Sequence, residues 1–133
     1  MKNGKHVDKH GTVRYYINNQ LHRTDGPAVT HANGNKAWYL NDKLHREDGP
    51  AVEYADGWGT EWWFNGKFHR EDGPAREYAN GIKYWYLNGK HHREDGPAIE
   101  WNDGHKWWYL NDVEYTEEEF KAYKLIEELA GIK

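Results

Sequence analysis

Short clusters of aromatic and aliphatic residues recur along the chain, separated by polar segments rich in glycine, aspartate and asparagine. Each cluster is four residues long and ends in asparagine; the copies occupy residues 15–18, 38–41, 62–65, 85–88 and 108–111. Aromatic and branched side chains in runs of this length favour β-strands. The pattern therefore predicts a sheet built from many short strands.

A polar block recurs between the aromatic clusters and contains every proline of the chain. It has the sequence His-Arg-Glu-Asp-Gly-Pro-Ala, with Thr in place of Glu in the first copy, and occupies residues 22–28, 45–51, 69–75 and 92–98. A period of about 23 residues is typical of stacked repeat architectures. We therefore predict a single repeat domain over 1–133, with a truncated unit at 1–21, four hairpin units at 22–113 and a C-terminal helix at 116–130.

Turn signals divide each unit into two strands. Asn33-Gly34, Asp56-Gly57, Asn80-Gly81 and Asp103-Gly104 lie between the polar block and the next aromatic cluster, and such pairs favour tight hairpin turns. Proline has no N–H to donate, so it belongs at a strand start or edge. The expected fold is mainly β, an antiparallel meander of about nine or ten strands. One unit has an extra residue near Gly59, which predicts a bulge or a longer turn there.

A parallel β-helix with one unit per coil is the alternative fold. Equivalent residues would then stack about 4.8 Å apart. That arrangement places like charges of the polar block directly against each other, which is unfavourable. In a meander the copies lie two strands apart, roughly 9.5 Å, and the repulsion is weaker. The meander is therefore the preferred prediction.

The C-terminal segment has the pattern of an amphipathic helix. Thr116 and Glu119 have the spacing of a capping box. Apolar residues follow at helical spacing, at Ala122, Leu125, Ile126 and Leu129. We expect this stripe to cover the last hairpin and block the open edge of the sheet.

Alternation along the strands gives the aromatic clusters two faces. The first and third positions (Trp or Tyr, then Leu, Ile or Phe) point to one side, and the middle positions point to the other. The middle positions form an aromatic row: Tyr16, Tyr39, Trp63, Tyr86 and Tyr109. One interpretation is that the row stacks across strands for stability while the other face forms the core. The other is that the row is an exposed surface that binds a partner protein.

The units resemble MORN repeats, through the run Trp-Tyr-Leu-Asn-Gly-Lys-His-His at 85–92 and the preceding Gly81. That resemblance implies an elongated sheet that acts as a non-enzymatic binding scaffold. The polar block departs from the family pattern and is similar to uncharacterised repeat proteins of phages and large DNA viruses. The variant implies a phage or viral protein that counters a host defence factor in the host cytoplasm.

Composition excludes several functions. The chain has 133 residues, 22 acidic and 18 basic, a formal charge of −4 and no cysteine. Disulfides and thiol nucleophiles are therefore absent. A near-neutral repeat body has no basic footprint for double-stranded nucleic acid, and no polybasic cluster favours a membrane. We expect a soluble cytoplasmic protein, with homodimerisation through the uncovered strand edge at residues 5–7 as a further prediction.

Chemistry at the polar block is the remaining possibility. Zinc ligands must converge within about 2.1 Å of the ion, and copies of the block histidine spaced roughly 9.5 Å apart do not. We therefore predict no metal, no cofactor and no enzymatic activity. The alternative function is binding or sequestering a nucleotide or glycan, by Arg46, Arg70, Arg93 and the stacking ring of Trp58.

Overall fold

The fold was analysed in a computed structural model that describes residues 1–131. In this part of the chain the strands are β1 (Gly4–Val7), β2 (Val13–Ile17), β3 (Gln20–Leu21), β4 (Val29–Thr30), β5 (Lys36–Ala37), β6 (Tyr39–Leu40), β7 (Lys43–Leu44), β8 (Val52–Tyr54), β9 (Gly59–Glu61), β10 (Trp63–Phe64), β11 (Lys67–Phe68), β12 (Arg76–Tyr78), β13 (Lys83–Tyr84), β14 (Tyr86–Leu87), β15 (Lys90–His91), β16 (Ile99–Glu100), β17 (Lys106–Leu110) and β18 (Val113–Tyr115). A 3₁₀ turn (Ala55–Gly57) follows β8, and helix α1 (Glu117–Leu129) follows β18.

The strands form an antiparallel meander with a C-terminal helix, as the repeat predicts. A twelve-stranded main sheet has the order β1-β2-β4-β5-β8-β9-β12-β13-β16-β17-β18, with β3 paired to β2. Every strand pair is antiparallel, from β1 with β2 to β17 with β18. The coiled, parallel alternative is therefore excluded.

Each internal aromatic cluster joins the main sheet to a separate two-stranded hairpin. The strand is interrupted at its first tryptophan, where Trp38 N–H donates to Ala51 O (2.7 Å) and Trp38 O accepts from His45 N–H (3.0 Å). Residues before this point pair in the main sheet, and residues after it pair in a separate two-stranded hairpin. These hairpins, β6-β7, β10-β11 and β14-β15, together with the outer ends β2-β3 and β17-β18, form what we call the hairpin row.

The hairpin row is the part of the fold that sequence analysis described too coarsely. Two strands per unit were expected, about nine or ten in all, but the segment from the cluster asparagine to the proline contains a tight turn and a short return strand, so residues 1–131 have eighteen strands. Asn41 and Asp42 adopt φ of 50° and 66°, as two-residue hairpin turns require. Neighbouring hairpins are joined by Gly66 N–H to Leu44 O (2.9 Å) and Gly89 N–H to Phe68 O (2.8 Å).

The polar block fastens one unit to the next. In the second copy, Arg46 donates from Nε to Asp48 Oδ1 (3.2 Å) and from Nη1 to Pro50 O (3.0 Å). Its Cζ lies 3.9 Å from the centroid of the Trp38 ring. A Cβ built on Gly49 would lie 3.0 Å from the same Cζ, so any other residue here would displace the guanidinium from its contacts. The other three copies repeat these contacts.

The block histidine makes a second link between units. Nδ1 of His45 accepts a hydrogen bond from the backbone N–H of Asn65, in the next hairpin turn, at 2.9 Å. In the other units, Nδ1 of His22, His69 and His92 accepts the same bond from the backbone N–H of Asn41, Asn88 and Asn111, respectively. The imidazole must be unprotonated at Nδ1 to accept this bond. The repeated histidines therefore have a structural partner in every unit.

The extra residue of the third aromatic unit lengthens one turn, as predicted. The turn at residues 55–58 connects Tyr54 to its pairing partner Gly59. Asp56 and Gly57 both have positive φ, 60° and 68°. Gly59 lies in β9, where an added Cβ would approach Tyr78 Cδ1 to 2.6 Å and Glu77 O to 2.7 Å. Gly59 is therefore required by the close approach of the neighbouring strand.

Helix α1 contacts β17 and β18, but its orientation differs from the prediction. The capping box of Thr116 and Glu119 is present. Phe120 is the buried residue, 5% exposed, and Lys124 donates to Glu94 Oε1 at 3.1 Å. The stripe expected to face the sheet is exposed instead: Ala122, Leu125, Ile126 and Leu129. The prediction was wrong because it weighed the number of apolar residues, whereas the one large ring, close to the cap, fixes which side packs.

Candidate functional site

The aromatic row lies on one face of the hairpin row, where each member pairs with a residue of the return strand. The pairs are Tyr16 with Leu21, Tyr39 with Leu44, Trp63 with Phe68, Tyr86 with His91 and Tyr109 with Glu114. Residues paired across antiparallel strands point to the same side. The row predicted from sequence is therefore interleaved with side chains that alternation within the clusters did not reveal.

Ring contacts make the C-terminal half of this face continuous. Ring centroids lie 3.8 Å apart for Trp63 and Phe68, and 4.9 Å apart for Phe68 and Tyr86. The series continues with Tyr86 and His91 at 4.4 Å, and with His91 and Tyr109 at 5.1 Å. These four contacts link five strands of the hairpin row, β10, β11, β14, β15 and β17, through their side chains.

The row is neither fully buried nor fully exposed. Tyr86 is 8% exposed, whereas Tyr16, Tyr39, Trp63 and Tyr109 are half-buried. Cross-strand packing accounts for the buried portion of each ring. The exposed portions lie along the hairpin row, so the rings are partly packed and partly accessible to solvent.

A buried carboxylate lies beside the row. Glu61, at the end of β9, is 7% exposed. Its Oε2 accepts from the hydroxyls of Tyr54 (2.9 Å) and Tyr78 (2.7 Å). Its Oε1 accepts from the indole N–H of Trp63 at 3.0 Å, which ties the carboxylate to the aromatic row. These three donors compensate for the loss of hydration.

Arg76 extends this network across the face. Its Nε donates to Tyr78 Oη at 2.9 Å, and its Nη1 donates to Tyr86 Oη at 3.4 Å. The guanidinium lies 4.9 Å from the ring centroid of Phe68 and 4.6 Å from that of Tyr84. Arg76 belongs to the main sheet and Phe68 to the hairpin row, so the side chain connects these two sets of strands. We call Glu61, Arg76 and their tyrosine and tryptophan partners the Glu61–Arg76 network.

The network was not predicted from the sequence, because its two charged residues lie at positions where the units differ. The residue before each internal tryptophan is Ala37, Glu61, Tyr84 or Trp107, so a carboxylate occurs in one unit alone. The residue after each block is Val29, Val52, Arg76 or Ile99, and the charge again occurs once. Aligning the units position by position shows that Glu61 and Arg76 each stand where the other units have an uncharged residue.

The chemistry of the network is hydrogen bonding. Burial, together with the hydrogen bond to the Glu61 carboxylate, raises the pKa of Tyr54 to about 12. The same two causes raise the pKa of Tyr78 above its ordinary value. Both phenols therefore remain protonated donors at neutral pH and hold the carboxylate in place.

The arginines of the alternative ligand site are already engaged. Arg46, Arg70 and Arg93 each use Nε and Nη1 within their own block and stack on a tryptophan. Arg46 and Arg93 also pair with Glu53 (3.1 Å) and Glu100 (2.7 Å). Open grooves of about 470 to 680 Å³ separate successive blocks. Trp58 lies at the other end of β8 from the block, so it does not join these arginines.

Comparison with known proteins adds no family assignment. No family model matches the sequence, and no curated protein is significantly similar to it. Within residues 1–131, the helix is too short and too polar to cross a membrane. In the same residues, no group of three or more histidine or carboxylate side chains is placed to hold a metal ion.

Proposed function

We propose that this chain is a non-enzymatic repeat scaffold that binds a partner protein through the aromatic row and the adjoining Glu61–Arg76 network. The supporting observation is the line of half-buried rings that crosses the hairpin row, with contacts between ring centroids of 3.8 to 5.1 Å from Trp63 to Tyr109. The resemblance to phage and viral repeat proteins extends the proposal to a host defence factor as the partner.

Two physical features favour a protein as the ligand. Tyrosine, tryptophan and arginine are the residues that contribute most at protein interfaces, and all three occur on this face. Their rotamers are restrained by stacking and by the hydrogen bonds of Glu61, so little side-chain entropy remains to be lost on binding. The face is also extended, which suits a surface more than a small molecule.

The test compares row variants with a control on the opposite face. Tyr39→Ala and Tyr109→Ala shorten half-buried members of the row, and Phe64→Ala removes an exposed ring that points to the other side. A partner isolated from cell extract and then purified should bind the row variants at least about tenfold more weakly and the control unchanged. Circular dichroism and melting temperature verify that each variant is folded.

Two outcomes would contradict this proposal. One is equal binding of the purified partner by wild type and both row variants. The other is a substantial increase in melting temperature with a nucleotide or glycan that is lost in Arg70→Gln, since that result favours the small-molecule alternative.

A further inference from the structure

The outward face of helix α1 is apolar and has no partner among residues 1–131. Its side chains, Leu125, Ile126 and Leu129, are 54%, 66% and 79% exposed. With Ala122 they occupy positions separated by three, four and seven residues, which lie on one side of a helix. We call these four residues the outer stripe. Phe120 and Lys124, on the opposite side, make the contacts with the repeat body.

The helix presents this stripe on a fixed support. Thr116 Oγ1 accepts from Glu119 N–H at 3.1 Å, and Glu119 Oε1 accepts from Thr116 N–H at 2.8 Å. Lys124 fastens the middle of the helix to Glu94, and Phe120 is buried against the last unit. The stripe therefore cannot turn inward without breaking the cap and the ion pair.

Charges beside the stripe are self-complementary. Lys121 and Glu128 are seven residues apart, so they lie along the same border of the stripe. If a second helix packs antiparallel about a twofold axis, Lys121 lies opposite the partner's Glu128, and the reverse pair forms equally. The twofold axis then lies between residues 124 and 125, and Ala122 lies close to the partner's Leu125. Lys121 is exposed and also pairs with Glu117 within its own helix, at 2.9 Å.

We propose that two copies of the chain associate through the outer stripe as an antiparallel helix pair, with Lys121 of each copy against the partner's Glu128. This proposal is independent of the aromatic row. It also differs from dimerisation through β1, whose four residues form an exposed edge strand. Because a helix of thirteen residues buries less than a standard interface, the dimer is expected to depend strongly on concentration.

Sedimentation velocity over a concentration series tests the proposal. Wild type should show a monomer–dimer equilibrium, and Ile126→Lys should weaken it by about tenfold or more. Lys121→Glu and Glu128→Lys should each weaken self-association. The pair between residue 121 of one copy and residue 128 of the other occurs twice in the dimer, and in either variant both pairs consist of like charges. An equimolar mixture of these two variants should restore association, since both pairs are again complementary in the mixed dimer.

Four results would overturn the proposal. The first is that wild type is a monomer at every concentration, and the second is that Ile126→Lys does not weaken the dimer. The third is that the mixture of the two charge variants associates no better than either variant alone. The fourth is that Val7→Pro abolishes the dimer while Ile126→Lys retains it. The last result would assign the contact to the edge of β1. Circular dichroism verifies that α1 remains folded in each variant.

Discussion

Glu61→Gln is the substitution that isolates the buried network, because it keeps the shape of the side chain and converts one acceptor into a donor. The carboxylate accepts from Tyr54 and Tyr78 at one oxygen and from the Trp63 indole at the other. The amide oxygen can serve both tyrosines. Its NH₂ group then faces the indole N–H, and neither donor has an acceptor. In the opposite orientation the oxygen accepts from the indole, and the two phenol O–H groups lose their acceptor instead, so each orientation leaves a donor unpaired.

The expected loss follows from this geometry. A buried donor left without an acceptor costs about 1–3 kcal/mol, and hydrogen bonds to a neutral acceptor are weaker than those to a charged one. A neutral amide is less costly to bury than a carboxylate, which offsets part of the loss. We expect the free energy of unfolding to fall by about 2 kcal/mol in Glu61→Gln.

A double-mutant cycle with Trp63→Phe supplies the control. Phenylalanine removes the indole N–H, so the glutamine amide no longer faces a donor. The cost of Glu61→Gln should then be lower by about 1 kcal/mol than in the wild-type background. Urea unfolding followed by far-ultraviolet circular dichroism measures both values without relying on tryptophan fluorescence. Equal costs in the two backgrounds, or no loss in wild type, would refute the assigned hydrogen bonds.

Three further predictions concern the rest of the fold. Gly73→Ala places a Cβ 2.9 Å from Arg70 Cζ and should lower the free energy of unfolding, measured by thermal unfolding, by about 1–3 kcal/mol. A loss of the same size in an Arg70→Met background would show that contact with Arg70 is not the cause. A hydrogen bond from Arg14, together with backbone N–H donors, lowers the pKa of Asp8 from 3.8 to about 2. The ionised Asp8 therefore stabilises the fold above pH 3.8, and the stability gap between wild type and Asp8→Asn should close as pH falls towards 2; a constant gap would refute this. Phe120→Ala should lower the free energy of unfolding by about 3–5 kcal/mol, whereas Ile126→Ala should change it by no more than about 0.5 kcal/mol. Equal losses in chemical denaturation would contradict the packing of Phe120, and not Ile126, against the repeat body.

The sheet was predictable because the repeat supplies several independent copies of one pattern. Gly34 and Gly81 adopt φ of 97° and 93° at corresponding turns, which is the conformation that their Asn-Gly pairs favour. The longer turn before Gly59 was predictable for the same reason, since a single insertion stands out against equal units.

Other features leave no mark in a repeat pattern. The exchange of pairing partners at Trp38 keeps the strand alternation unchanged, so β5 and β6 appear in the sequence as one strand. The helix face was misjudged because a stripe of four apolar residues outweighed the single ring of Phe120. Periodicity shows which residues share a face, but it does not show which face has something to pack against.

The polar-block positions that recur in every unit already have structural partners within the repeat. The block arginine is bonded to its aspartate and proline and stacked on an aromatic ring in all four copies. Changing such a residue should lower stability in any unit. Glu61 and Arg76 occur once each and lie side by side beside the aromatic row. For the partner binding proposed above, these two positions are the ones beside the row that the other units do not repeat, so we expect substitutions there to alter partner choice more than substitutions at the block arginines.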